Sequence, residues 1–181
     1  MPEPAATKLA LADAMKTLMT RQPLAKITVG DLCAHCGISR KGFYYHFKDK
    51  FDLVNWIFLT EYVLPAKDHP YDSLWTFFVE ICTYFYENRP FYINAFAVEG
   101  QNSFADYFAD LLRPEAIRYL DEYFEHSENH TFYANFFTDA FRLAIVRWLR
   151  EDAQLQPEAF VSLLRGAVEG IARRIVTDTA E

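Results

Sequence analysis

Between Thr28 and Lys50 the sequence gathers a dense set of side chains able to donate to a polyanion. Arg40 and Lys41 are adjacent cations, Gly42 carries no side chain, and Tyr44, Tyr45 and His46 add two hydroxyls and an imidazole directly after. Guanidinium and ammonium groups on the first turn of a helix suit the base edges of a major groove. Hydroxyls, imidazoles and ammonium groups fix phosphates, and a glycine lets a backbone come close. Thr28 offers a hydroxyl at a helix N-terminus, which is a ready anion site, Ser39 offers another just before Arg40, and Lys50 supplies a further cation. The candidate DNA-binding residues are therefore Thr28, Ser39, Arg40, Lys41, Gly42, Tyr44, Tyr45, His46 and Lys50.

Two other clusters invite chemistry and do not complete it. Cys33-Ala34-His35-Cys36 has a metal-ligand spacing, yet no second cysteine pair or spaced histidine pair accompanies it, so packing is the expected role of both thiols. Glu122, His126 and His130 lie four apart and could meet a metal on one helix, but Ser127-Glu128-Asn129 reads as a loop between them. No nucleophile motif, paired metal-ligand set or glycine-rich phosphate loop is present, so neither an enzyme nor a cofactor or metal is expected.

The elements that must position these residues are all helical: apolar residues recur at helical spacing and no hairpin signal interrupts them. Leu11, Met15, Leu18 and Met19 mark a first helix ending near Arg21-Gln22-Pro23. Thr28 and Asp31 have capping-box spacing for a second helix that reaches about Cys36. Gly37 suits a left-handed turn, Ile38 a buried plug and Ser39 the cap of a third helix from about Arg40 to His46, with Phe43 and Phe47 pinning it inward. Two short helices joined by a tight glycine-containing turn form a helix-turn-helix.

A fourth helix follows the break at Lys48-Asp49 and is expected to stop at Leu64-Pro65, leaving 65 to 70 as a connector. Five more helices are expected over about 71–88, 90–99, 103–125 (broken or kinked at Pro114), 131–151 and 157–177. The expected architecture is all-α with about nine helices. A three-helix DNA-binding domain occupies residues 1–53, and a larger helical regulatory and dimerisation domain occupies 54–181.

Charge divides along the same line. Residues 1–53 carry eight Lys/Arg against five acids, whereas the other 128 residues carry ten against twenty, so a basic module of +3 precedes an acidic one of −10. That asymmetry is expected where one end of a chain meets a polyanion. The chain's 181 residues, 51% apolar, can bury a real core, and three cysteines with no disulfide framework fit a reducing cytoplasm. No run of apolar residues is long enough to cross a membrane.

The last two helices carry unusually broad apolar stripes. Tyr133, Phe136, Phe137, Ala140, Phe141, Ala144, Ile145 and Trp148 form one, and Phe160, Leu163, Leu164, Ala167, Val168, Ile171 and Ile175 the other. Gly166 and Gly170 each weaken the helix by about 1 kcal/mol relative to alanine, which close approach of another helix could offset. A homodimer built as a four-helix bundle is the expectation, a monomer's core helices the alternative. The acidic part also holds 26 of the 31 aromatic residues, enough to line an apolar cavity with polar handles.

The frame Ile27-Thr28-Val29, Asp31-Leu32, Gly37-Ile38-Ser39, Phe43-Tyr44, His46-Phe47, Lys50 and Leu53 resembles the DNA-binding region of the tetracycline-repressor (TetR) family of bacterial regulators. The resemblance implies that Thr28, Tyr44, His46 and Lys50 face phosphates and that positions 40–42 and 44 or 45 face bases. Many members carry glycine and then a small polar residue at positions 41 and 42. Lys41-Gly42 here leaves the fold intact and bears on the operator sequence. A pocket between the fifth and eighth helices, filled by an effector that alters the separation of the DNA-reading heads, is likewise implied.

Phe96 to Phe104 and Phe47 to Ile57 are similar to a branch that includes activators of dihydroxyacetone-kinase operons, in which a protein co-activator can sense the metabolite. Gln101, Asn102 and Ser103 also read simply as a polar turn capping the next helix. The expected function is a cytoplasmic, homodimeric regulator that reads double-stranded DNA at an inverted-repeat operator. It answers to a small-molecule effector or a protein co-activator and has no membrane partner. The alternative is a helical interaction module whose helix-turn-helix binds a partner protein.

Overall fold

A computed structural model describes residues 4–67, 71–100, 102–124, 129–151 and 154–178, and among these every regular element is helical. The helices are α1 (Pro4–Met19), α2 (Val29–Cys36), α3 (Arg40–His46), α4 (Lys50–Phe58), α5 (Leu74–Glu87), α6 (Arg89–Ala95), α7 (Phe104–Phe124), α8 (His130–Arg150) and α9 (Pro157–Asp178). A 3₁₀ turn, Leu24–Lys26, precedes α2. The chain falls into two compact units, one of residues 1–69 and 88–107, the other of residues 70–87 and 108–181.

In the first unit α1 packs against α2, α4 and α6, and α2 packs against α3. Leu11, Met15, Ile27, Leu32, Phe43, Leu53 and Ile57 are all fully enclosed and make its core. Phe58 of α4 extends that core into an aromatic cluster, edge-on to Tyr92 at 5.9 Å and to Phe104 at 5.3 Å. Phe47 is buried as expected, whereas Ile38, expected as a plug, is only half-buried. It lies on the turn itself, where its N–H is given to the Cys33 carbonyl at 3.1 Å.

The helix begun by α4 ends at Ala66, one residue past the expected stop. It passes through a π-turn at Leu59–Val63 into one more helical turn, Leu64–Ala66. Proline is tolerated there because it stands in the first turn of the new segment, where its missing N–H costs least. Of the expected connector, residues 68–70 lie outside the described part. α6 ends at Ala95 rather than near residue 99, and Gly100 (φ +115°) and Asn102 (φ +66°) turn the chain before α7. α7 runs through Pro114 without a break; that proline is exposed, so water can satisfy the carbonyl it leaves unpaired.

The second unit is held by α5, which packs against α8 and α9. Phe78 lies 4.7 Å from Phe141, and Trp148 is sandwiched between Tyr86 at 5.9 Å and Phe160 at 4.6 Å. Ile81, Phe85, Phe108, Phe137, Ile145 and Leu149 complete its interior. Among the described residues no helix is long and apolar enough to cross a membrane.

Candidate nucleic-acid interface

The sequence builds α2 and α3 through local caps. Thr28 stands extended at the N-terminus of α2, its Oγ1 accepting the Asp31 N–H at 3.1 Å while an Asp31 carboxylate oxygen accepts the Thr28 N–H at 2.8 Å. This reciprocal box is the one expected from the spacing. The Thr28 hydroxyl also donates to that carboxylate at 2.8 Å, and these bonds hold the Asp31 carboxyl below its ordinary pKa. Gly37 closes α2 in the left-handed region at φ +66°, and Ser39 Oγ then caps α3 by accepting the Gly42 N–H at 3.1 Å. Phe43, fully enclosed, anchors α3 from beneath.

With Phe43 inward, the opposite face of α3 is exposed: Arg40, Lys41, Tyr44 and Tyr45 all project to solvent, Tyr45 being 81% exposed. His46 is half-buried and lies edge-on to Tyr45 at 5.0 Å. Gly42 follows Lys41 on the first turn, and a Cβ there would meet Ser39 Oγ at 3.5 Å, an ordinary contact. Nothing inside the protein requires glycine at that position. Arg40 leans toward α2, where a Cβ on Gly30 would come within 3.0 Å of its Nη2.

Lys50 stands apart from this surface. Its ammonium donates to the carbonyls of Leu24 at 2.7 Å, Ala25 at 3.0 Å and Ile27 at 2.7 Å, so all three of its N–H donors are engaged within the protein. Partial burial lowers its pKa against the pull of Asp31 and Asp49. The side chain expected at a phosphate ties α4 to the turn that leads into α2. Sequence reasoning could not find this, because the carbonyl cluster exists only once the turn is folded.

Cys33 is buried and Cys36 half-buried, with the Cys36 thiol donating to the Ala10 carbonyl at 3.3 Å. Burial raises the pKa of both thiols, which keeps them protonated. Among the described residues no group of three or more His, Cys, Asp or Glu side chains could hold a metal. The side chains of Glu122, His126 and His130 lie outside the described part.

The second unit carries a separate exposed surface. Phe132, Phe136 and Leu143 of α8 and Leu163 and Ile171 of α9 are exposed, and a Cβ on Gly166 or Gly170 would meet nothing within 4 Å. A groove of about 690 Å³ lies between the two helices, lined by Leu143, Trp148, Leu155, Phe160 and Leu163 with Arg147 and Glu151 at its edge.

Comparison with known proteins agrees with this architecture. Residues 11–57 match the family described as "Bacterial regulatory proteins, tetR family", and residues 72–170 match the "Transcriptional regulator C-terminal region" of TetR proteins. The chain belongs to the TetR family. It is a DNA-binding transcriptional regulator by that membership, with α2 and α3 as its helix-turn-helix. Among solved structures, the dihydroxyacetone kinase operon activator DhaS superposes with a TM-score of 0.64 at 19% identity, over 92% of this chain and 96% of that one. A transcriptional regulator from Pseudomonas aeruginosa PAO1 superposes at 0.62 with 17% identity, over 94% and 92%. Both likenesses concern the fold of this TetR protein. No curated protein matches its sequence.

Proposed function

We propose that this TetR protein is a cytoplasmic homodimer that reads an inverted-repeat operator, residues 1–53 of each protomer binding one half-site and residues 54–181 dimerising and regulating. The supporting observation is the exposed face of α3, where two cations and two tyrosines flank a glycine that internal packing does not need. Arg40, Lys41 and one of Tyr44 or Tyr45 read base edges, the other tyrosine and His46 hold phosphates, and Gly42 lets the α3 backbone come close to the bases. The amide end of α2, capped by Thr28, receives a further phosphate, and Ser39 keeps the α3 terminus in place. Lys50 serves by position, through the carbonyls it holds.

The exposed stripes of α8 and α9 support a dimer: in a second protomer the same stripes would cover them, forming a four-helix bundle around Gly166 and Gly170. Two heads so joined meet major-groove faces about one helical turn, roughly 34 Å, apart or somewhat more. Control comes from a small molecule or a protein co-activator acting on residues 54–181, and no catalytic chemistry is involved.

Selection of binding sites from a random duplex pool at moderate salt tests this directly. Enrichment of an inverted repeat is expected. Absence of any enriched sequence, together with binding to a protein that duplex DNA does not compete away, would instead make the helix-turn-helix a protein-binding module.

A further inference from the structure

The turn between α1 and α2 is held from two sides by residues distant in sequence. Lys50 of α4 takes the carbonyls of Leu24, Ala25 and Ile27. From α6, Asn94 Oδ1 accepts the Leu24 N–H at 2.7 Å, and Asn94 Nδ2 donates to the carbonyls of Met19 and Gln22, each at 3.3 Å. Leu24 is thus shared, its N–H bound by α6 and its carbonyl by α4, with its side chain buried. A carboxamide presents both donors and acceptors, which a mixed set of backbone groups requires.

The chain after α6 adds a second tether. Asn102 Nδ2 donates to Asp49 Oδ2 at 3.1 Å, while Asp49 Oδ1 caps α4 by accepting the N–H groups of Phe51 and Asp52, each at 2.8 Å. Asn55 Nδ2 donates to the Asn102 carbonyl at 3.3 Å. Residues 88–107 therefore belong to the unit of the DNA-reading helices, yet the chain joins them at both ends to the other unit, at Glu87 and at Phe108.

We infer that Asn94 is a positioning residue for operator reading: its carboxamide fixes the α1–α2 turn to α6 and so sets where each DNA-reading head stands. The inference rests on the DNA-binding reading above. It assigns Asn94 no contact with DNA.

The full chain and its Asn94→Ala and Asn94→Asp variants are titrated with the selected inverted repeat and with duplexes whose half-sites are one base pair closer or farther apart. The wild type is expected to favour one spacing, and Asn94→Ala to lose about tenfold in discrimination between spacings, a typical coupling magnitude. Its salt slope stays that of the wild type, because no phosphate contact is lost. Asn94→Asp, which sets a carboxylate against the Met19 and Gln22 carbonyls, behaves the same way or worse. Hydrogen exchange in the free protein speeds up at the Leu24 amide in Asn94→Ala. Mere destabilisation lowers the affinity for every spacing by one factor, so a variant that keeps the wild-type spacing preference overturns the inference. A wild type that selects no duplex overturns the DNA-binding reading itself, and the inference with it.

Discussion

Arg40 lies across Gly30, so that a Cβ on this glycine would stand 3.0 Å from Arg40 Nη2 and 3.4 Å from Thr28 Oγ1. The exposed side chain of the first residue of α3 thus reaches back over the first turn of α2. Gly30 is helical and carries no left-handed strain, so Gly30→Ala should raise helix stability by about 0.5–1 kcal/mol. The methyl would displace only the tip of a flexible side chain. Melting temperature should hold or rise while the selected DNA sequence changes at the bases Arg40 reads. An unchanged selected site at unchanged affinity would show that this reach of Arg40 has no bearing on readout.

Gly42 poses the converse case. Its Cβ would make only ordinary contacts, at 3.5 Å to Ser39 Oγ and 4.0 Å to Ile38 Cβ, so Gly42→Ala should stabilise the free protein. The gain expected is about 0.5–1 kcal/mol, set against a loss of at least about tenfold in operator affinity if α3 packs closely on the bases there. Thermal unfolding and a binding titration of the same sample separate the two effects. A stabilised variant that binds as tightly as the wild type would remove Gly42 from the DNA surface.

Lys50 should behave as a structural cation rather than a phosphate contact. Lys50→Met keeps the apolar stem and leaves three carbonyls without their donor, two of them in part-buried bonds. A loss of about 2 kcal/mol, or roughly 4–8 °C in melting temperature for a chain of this size, is expected. The slope of log affinity against log salt should stay at the wild-type value, whereas Lys41→Ala should change which duplex is preferred. A reduced slope in Lys50→Met would return this lysine to the DNA backbone.

What the sequence made legible follows from range. The Thr28–Asp31 box, the left-handed Gly37 and the Ser39 cap each join residues a few positions apart, and such local bonds show in spacing alone. The stop near Pro65 was legible to within one residue, whereas the π-turn at Leu59–Val63 that precedes it left no mark in the pattern. Asn94 binding residues 70 and more positions away left no trace in local pattern. Lys50 was legible as a cation, whereas the three carbonyls it holds come together only once the turn is folded.

The exposed stripes of α8 and α9 give the last prediction. A lone protomer would leave Phe132, Phe136, Leu143, Leu163 and Ile171 to water, and each large apolar side chain removed from water is worth about 1.5–3 kcal/mol at most. Among the described residues no neighbour lies within 4 Å of a Cβ on Gly166 or Gly170, whereas a helix crossing at that point would use the missing side chains. Leu163→Glu or Phe136→Glu puts a charge into that crossing and leaves the core residues Phe137, Phe141 and Val168 untouched. Light scattering should then report half the wild-type mass with helicity unchanged, because each protomer's own core survives. Affinity for the inverted repeat should drop toward that of a single half-site, since joining two heads supplies an effective concentration that separate heads lack. A wild type that scatters as a monomer, or a Leu163→Glu chain that stays dimeric, would move the dimer off these two helices.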